Sequence, residues 1–157
     1  MTILFKERQL MQPIFTVVNL GVIGFLLYSI LVYNEQYSRG SLIFLAAALC
    51  VLSFTMINFA VLNIRVTETA LDFGFGLFKR SFFIKNLVEV EIQKYEFRRF
   101  GGYGIRKSLT GETGFVARGG SGVYFRDTNS GKKVYLSSDK PEELYTKLIE
   151  NGAMEKR

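Results

Sequence analysis

The chain has 157 residues, a formal net charge of +6 and 48% hydrophobic residues, with no histidine and one cysteine. Lack of histidine removes the commonest general base and metal ligand, and a lone cysteine leaves the usual zinc, haem and thiol centres unassembled. The length suits one ordinary domain, and neither a catalytic site nor a cofactor or metal is expected.

Residues 1–13, MTILFKERQLMQP, place Ile3, Leu4, Leu10 and Met11 roughly on one helical face, with Lys6, Glu7 and Arg8 largely opposite. This pattern predicts a short interfacial helix, or a loose tail, before Pro13 opens the next element. Residues 14–33 and 40–64 then carry no charge. Each run reaches the roughly 20 residues that cross a hydrocarbon core about 30 Å thick. The first is too long for a signal peptide, lacks a small-x-small cleavage site, and is followed at once by a second apolar run. A transmembrane hairpin over 14–64 is expected, with spans at 14–33 and 41–64.

The connector NEQYS makes the spans antiparallel neighbours, so both ends of the hairpin face one side. Lys6, Arg8, Arg65, Lys79 and Arg80 lie on that side and Arg39 alone at the tip, which predicts cytoplasmic termini. Cys50 falls mid-span and cannot form an intrachain disulfide. Asn19 and Asn58 both lie roughly 8–9 Å inside the cytoplasmic ends of their spans. An interhelical amide pair is expected there, worth about 0.6 kcal/mol. No charged residue interrupts either span, which favours helix contact over an ion path.

From Arg65 the pattern turns to strands. Leu71, Phe73, Phe75 and Leu77 alternate with Asp72, Gly74, Gly76 and Phe78, and Val88, Val90 and Ile92 alternate with Glu89, Glu91 and Gln93. GVYFRD and KKVYLSS flank a TNSG turn at 128–131, a hairpin signal. Asp139 and Glu142 have capping-box spacing around Pro141, and Leu144, Tyr145, Leu148 and Ile149 form one apolar stripe that stops near Asn151-Gly152. The 65–157 region should therefore be a curved antiparallel sheet of about six or seven strands, closed by a C-terminal helix.

The stretch RRFGGYGIRK at 98–107 combines glycines with cations. It misses both the Walker and the dinucleotide patterns by one residue, and no long helix follows it. Gly101, Gly102 and Gly104 read instead as a sharp turn. Arg98, Arg99, Arg106 and Lys107, with Lys79, Arg80 and Tyr103, form a candidate surface for anionic lipid headgroups or an acidic partner. The alternative is that they are ordinary positive-inside residues without a ligand. Aromatic side chains interleave with the arginines, but no groove-reading motif points to nucleic acid.

Three segments together carry a resemblance. Phe100-Gly101-Gly102-Tyr103-Gly104-Ile105-Arg106 is close to Y-G-G-W-G-I-R, Gly119-Gly120-Ser121-Gly122-Val123 to G-x-G-hydrophobic, and Ser137-Ser138-Asp139-Lys140-Pro141-Glu142-Glu143-Leu144 to G-T-Q-x-P-E-E-L. The chain thereby resembles a family of small bacterial membrane proteins, common in Bacteroidetes, that join two transmembrane helices to a bacterial PH-like domain. Tyr103 stands where that family favours Trp, and Ser137-Ser138-Asp139 replaces Gly-Thr-Gln. The resemblance implies a PH-like split barrel on the cytoplasmic face of the inner membrane, and little about activity. The expected function is a non-enzymatic interaction or assembly module, engaging a protein partner or a second copy. Headgroup binding by the basic glycine loop is one alternative, and an oligomeric hairpin with a channel or transport role is another.

Overall fold

The computed structural model describes residues 2–156; Met1 and Arg157, the end residues of the expected N-terminal segment and β domain, lie outside them. Strand β1 (Ile3–Leu10) comes first, then helix α1 (Pro13–Tyr33), a 3₁₀ turn and helix α2 (Arg39–Phe59). Strands β2 (Val61–Thr67), β3 (Ala70–Phe75), β4 (Phe78–Phe83) and β5 (Leu87–Lys94) follow. A single helical turn, α3 (Phe97–Phe100), leads to β6 (Gly104–Lys107), β7 (Thr113–Val116), β8 (Ser121–Asp127) and β9 (Lys133–Ser137), and helix α4 (Pro141–Glu150) ends the fold.

Helices α1 and α2 each have 21 residues and form an antiparallel hairpin, about 31 Å long at 1.5 Å per residue. Both are long and apolar enough to cross a membrane, and they expose rather than bury their apolar surface: Phe25 is 68% exposed and Ile57 76%. Such exposure is stable in lipid and unfavourable in water, as a two-span membrane protein requires.

The N-terminal segment is a strand and not an interfacial helix. Phe5, Glu7 and Gln9 turn inward in alternation with Lys6 and Arg8, and β1 pairs antiparallel with β2 from Ile3–Thr67 to Leu10–Val61. Helical spacing sorts Glu7 as a surface residue, yet here both it and Gln9 are buried. The fold buries them because partners wait inside. Gln9 accepts from Ser137 Oγ (2.6 Å) and donates to Asp139 Oδ1 (2.9 Å), while Glu7 accepts from Ser138 Oγ (2.6 Å) and from the Asp139 backbone N–H (2.7 Å).

The second span likewise ends at Phe59, before the expected Ile64. Leu62, Ile64 and Val66 alternate with exposed Asn63 and Arg65, so the uncharged run covers a helix and then a strand facing the core. The β domain is thus built from both flanks of the hairpin, not from 65–157 alone.

Two sheets enclose one core. Their orders are β1-β2-β3-β4 and β5-β8-β9-β7-β6. Leu62, Ile64, Leu71, Phe73 and Phe75 of the first meet Phe115, Val123, Phe125 and Leu136 of the second. Phe73 lies edge-on to Phe115 at 4.8 Å between ring centroids. Leu144 and Leu148 of α4 are fully buried against this core and Tyr145 and Ile149 pack beside it, as the stripe predicts.

Other expectations need correction. The described residues form nine strands, and β7 runs parallel to β9, so the second sheet is not purely antiparallel. Leu77 sits in the β3–β4 turn, not on the core face. A bulge between Val88 and Glu91, with Glu89 at φ 56°, breaks the alternation of β5 and turns Leu87 and Val90 inward while Ile92 faces solvent. No capping box forms: α4 starts at Pro141, and the Asp139 carboxylate is held by Arg118 (2.7 Å) and Gln9.

The Asn19–Asn58 pair does not form. Each amide donates to the carbonyl four residues back, Phe15 (2.7 Å) and Phe54 (2.9 Å), which satisfies it within its own helix. Asn58 uses its oxygen elsewhere, accepting from the Leu77 N–H at 3.2 Å. Gly76 makes this approach possible. Its φ is +41°, and a Cβ there would stand 2.7 Å from Asn58 Oδ1.

Gln9→Ala removes the centre of the polar ladder between β1 and β9 and should cost about 1–3 kcal/mol. Thermal unfolding in mild detergent checks this against Arg98→Ala, an exposed α3 side chain whose loss should stay within about 0.5 kcal/mol.

Candidate functional site

Strand edges locate the site. The two sheets have four edge strands, β1, β4, β5 and β6. The inward side chains of β1 are tied to residues 137–139 by the polar ladder just described. The β5 edge is covered by the C-terminal segment, with Val90 N–H donating to Met154 O (3.0 Å) and Lys156 N–H to Val90 O (3.2 Å). Among the described residues, no strand pairs with the free edges of β4 and β6.

A cleft of about 560 Å³ opens between them, within the range of ordinary ligand sites. Lys79 and Arg80 of β4 line one wall, and Arg106 and Lys107 of β6 with Lys132 line the other. Phe82, Ile105, Phe115 and Val134 form the apolar surface between, and Phe59 of α2 closes the end nearest the helices. No carboxylate lines the cleft, and among the described residues none lies within 4.0 Å of any of these five cations. Arg106 Nε donates to Tyr103 O at 2.8 Å, and the charged groups here meet no carboxylate, an arrangement that attracts anions.

The structure therefore gathers Lys79, Arg80, Arg106 and Lys107 from the predicted set and adds Lys132. Lys132 follows the TNSG turn, and the strand pattern marks it only as a turn flank; its place emerges from the register of β9 beside β7. Arg98 is exposed on α3, outside the cleft.

Arg99 is not a free surface cation. Its Nε and Nη2 both reach Glu112 Oε2 at 2.6 Å, and Nη1 donates to Gln93 Oε1 at 3.0 Å. The Arg99 hydrogen bond holds the Glu112 carboxyl below its ordinary value, outweighing the opposing effect of burial. The arginine itself lies across the rings of Phe100 (5.4 Å) and Tyr124 (5.8 Å).

Tyr103 is likewise structural, stacked on Tyr95 at 5.9 Å and edge-on to Phe97 at 6.4 Å. Tyr95 donates to Gly102 O at 2.5 Å, and burial raises the pKa values of Tyr95 and Tyr135. The glycine turn serves this aromatic layer. Gly101, Gly102 and Gly104 all have positive φ, at 68°, 139° and 92°, and swing Phe100 back onto the outer face of the second sheet. Gly114 leaves the space for that ring, since a Cβ there would lie 2.7 Å from Phe100 Cδ1. The stretch RRFGGYGIRK thus divides: its first half belongs to the aromatic layer, and its last two cations line the cleft.

No family model, curated protein or solved structure matches this chain, so the site is read from its own geometry.

The unfolded Glu112 carboxyl titrates near 4.5 and the folded one lower. Its stabilising contribution is therefore complete above that pH and is lost as pH falls through the folded value. Glu112→Gln should be less stable than wild type at neutral pH by about 1–3 kcal/mol and converge on it in acid. A pH series of unfolding temperatures checks this; parallel curves contradict it.

Proposed function

We propose that this chain is a non-enzymatic integral membrane protein whose β domain is a PH-like split barrel serving as an interaction or assembly module at the cytoplasmic face of a bacterial inner membrane. One observation carries the reading: five cations with no carboxylate line a single apolar-walled cleft that ends against a membrane helix. The cleft presents cations and no carboxylate or histidine, the commonest proton acceptors of acid–base catalysis. A binding role for an anionic partner suits the groups present.

The sheets of four and five strands with a C-terminal helix packed at one end support the PH-like assignment. Orientation follows from charge. Lys6, Arg8, Arg65, Lys79 and Arg80 lie on the domain side of the hairpin and Arg39 at its tip, the asymmetry that retains a flank in the cytoplasm. The working face moves from the glycine loop, where Arg99 and Tyr103 are occupied, to the seam between β4 and β6.

Thr128→Cys in a Cys50→Ala background tests the orientation. A membrane-impermeant maleimide should label it only after the cells are lysed; labelling of intact spheroplasts contradicts the assignment. A photo-crosslinking benzoylphenylalanine at Ile105, irradiated in intact cells, tests the module. It should give adducts that vanish when Lys79, Arg80, Arg106, Lys107 and Lys132 are changed to glutamine, while the same probe at Asn129 gives none. Equal adducts at both positions contradict a working cleft.

A further inference from the structure

The open seam ends where the membrane begins. Phe59 is the last residue of α2, and Leu77, whose N–H is bonded to Asn58, lies beside it on the cleft rim. Leu77 is 75% exposed and Phe78 46% exposed, so the β3–β4 turn presents an apolar tip next to the helix terminus. Phe59 stacks on Phe78 at 5.5 Å between centroids, which fixes this tip to the end of the span. Lys79 and Arg80 come directly after it in β4. At about 3.3 Å per strand residue they stand roughly 7–10 Å from Leu77, comparable with the roughly 5–10 Å to which an interfacial apolar face sinks into the headgroup–acyl boundary. Lys107 and Lys132 line the cleft with them, as does Arg106, whose Nε is bonded to Tyr103 O at 2.8 Å.

We infer that this seam takes the headgroup phosphate of an anionic glycerophospholipid from the adjoining leaflet, with its acyl chains lying against Leu77, Phe78 and Phe59. The inference rests on the reading of the seam as the working face and names its ligand. Charge complementarity requires an anion, and the apolar rim beside α2 requires that the anion carry hydrocarbon. An added strand satisfies neither condition well. Lys and Arg on a free edge oppose strand pairing, a second copy of this chain would bring like charges together, and an acidic peptide would leave Leu77 and Phe78 uncovered. A lipid covers the rim and neutralises the cations from one position.

The test uses the full chain in an uncharged detergent, with phosphatidylglycerol or phosphatidylcholine titrated in and retained lipid counted by native mass spectrometry. Wild type should hold phosphatidylglycerol at least tenfold more tightly. K79Q/R80Q/R106Q/K107Q/K132Q should lose that preference, whereas K85Q/K94Q/K140Q/K147Q/K156Q, which removes the same charge elsewhere, should keep it. If the five-site variant fails to fold, the single variants R80Q and K107Q carry the test, each with an expected loss of about fivefold.

Three results overturn the inference: equal retention of the two lipids, equal loss in the control variant, or displacement of phosphatidylglycerol by equimolar inorganic phosphate, which marks a free-anion site. Lipid indifference with persistent protein adducts at Ile105 removes the lipid and leaves the interaction module standing. Loss of the adducts as well removes both.

Discussion

The hydrogen bond from Met11 N–H to Ala60 O, 2.9 Å long, joins the two points at which strand becomes helix. Paired strands run about 4.8 Å apart and packed helices about 8–10 Å apart, so the two chains must diverge here. They do so within Met11-Gln12 on one side and Ala60 on the other. No linker absorbs motion. Met11 is buried in the domain core, Gln12 N–H donates to Ala117 O at 2.8 Å, and Phe59 packs on Phe75 at 5.4 Å. The hairpin and the β domain are therefore one mechanical unit, and whichever surface adjoins the end of α2 adjoins the bilayer.

The two sides of the domain then acquire different characters. On the β1 side, buried Glu7 and Gln9 are engaged by Ser137, Ser138 and Asp139. Buried polar groups so satisfied fix a unique register rather than leave a reactive patch. On the β4 side the cations of two strand edges meet no acid, and the sheets stay apart over an apolar wall. Edge cations of this kind keep strands from adding, so the residues proposed to bind an anion also discourage aggregation.

Much of this was legible in the residues, and the failures share a cause. The hairpin, the 121–137 strand pair and the stripe of α4 follow from local periodicity, which needs no knowledge of partners. The N-terminal strand was hidden because its inward positions include Glu7 and Gln9, whose burial makes sense only beside residues about 130 positions later. Asn58 misled in the same way: an amide inside a span suggests a partner in the other span, whereas its true partner is the Leu77 N–H of a turn. At the candidate site, Lys79, Arg80, Arg106 and Lys107 stand out as charge near a membrane. Their separation from Arg99 depends on Glu112, and their union with Lys132 depends on the parallel pairing of β7 and β9.

The account stands on the β3–β4 turn lying at the bilayer surface. Spin labels at Leu77→Cys and Leu109→Cys, each in a Cys50→Ala chain reconstituted into lipid bilayers, measure this through their relative accessibility to oxygen and to a water-soluble nickel chelate. Both leucines are exposed, Leu77 at 75% and Leu109 at 107%, so exposure alone predicts the same answer for each. A rigid junction at Met11 and Ala60 predicts that the Leu77 label favours oxygen, at the headgroup–acyl boundary, and that the Leu109 label favours the chelate, in water. Equal chelate accessibility at both positions would contradict it.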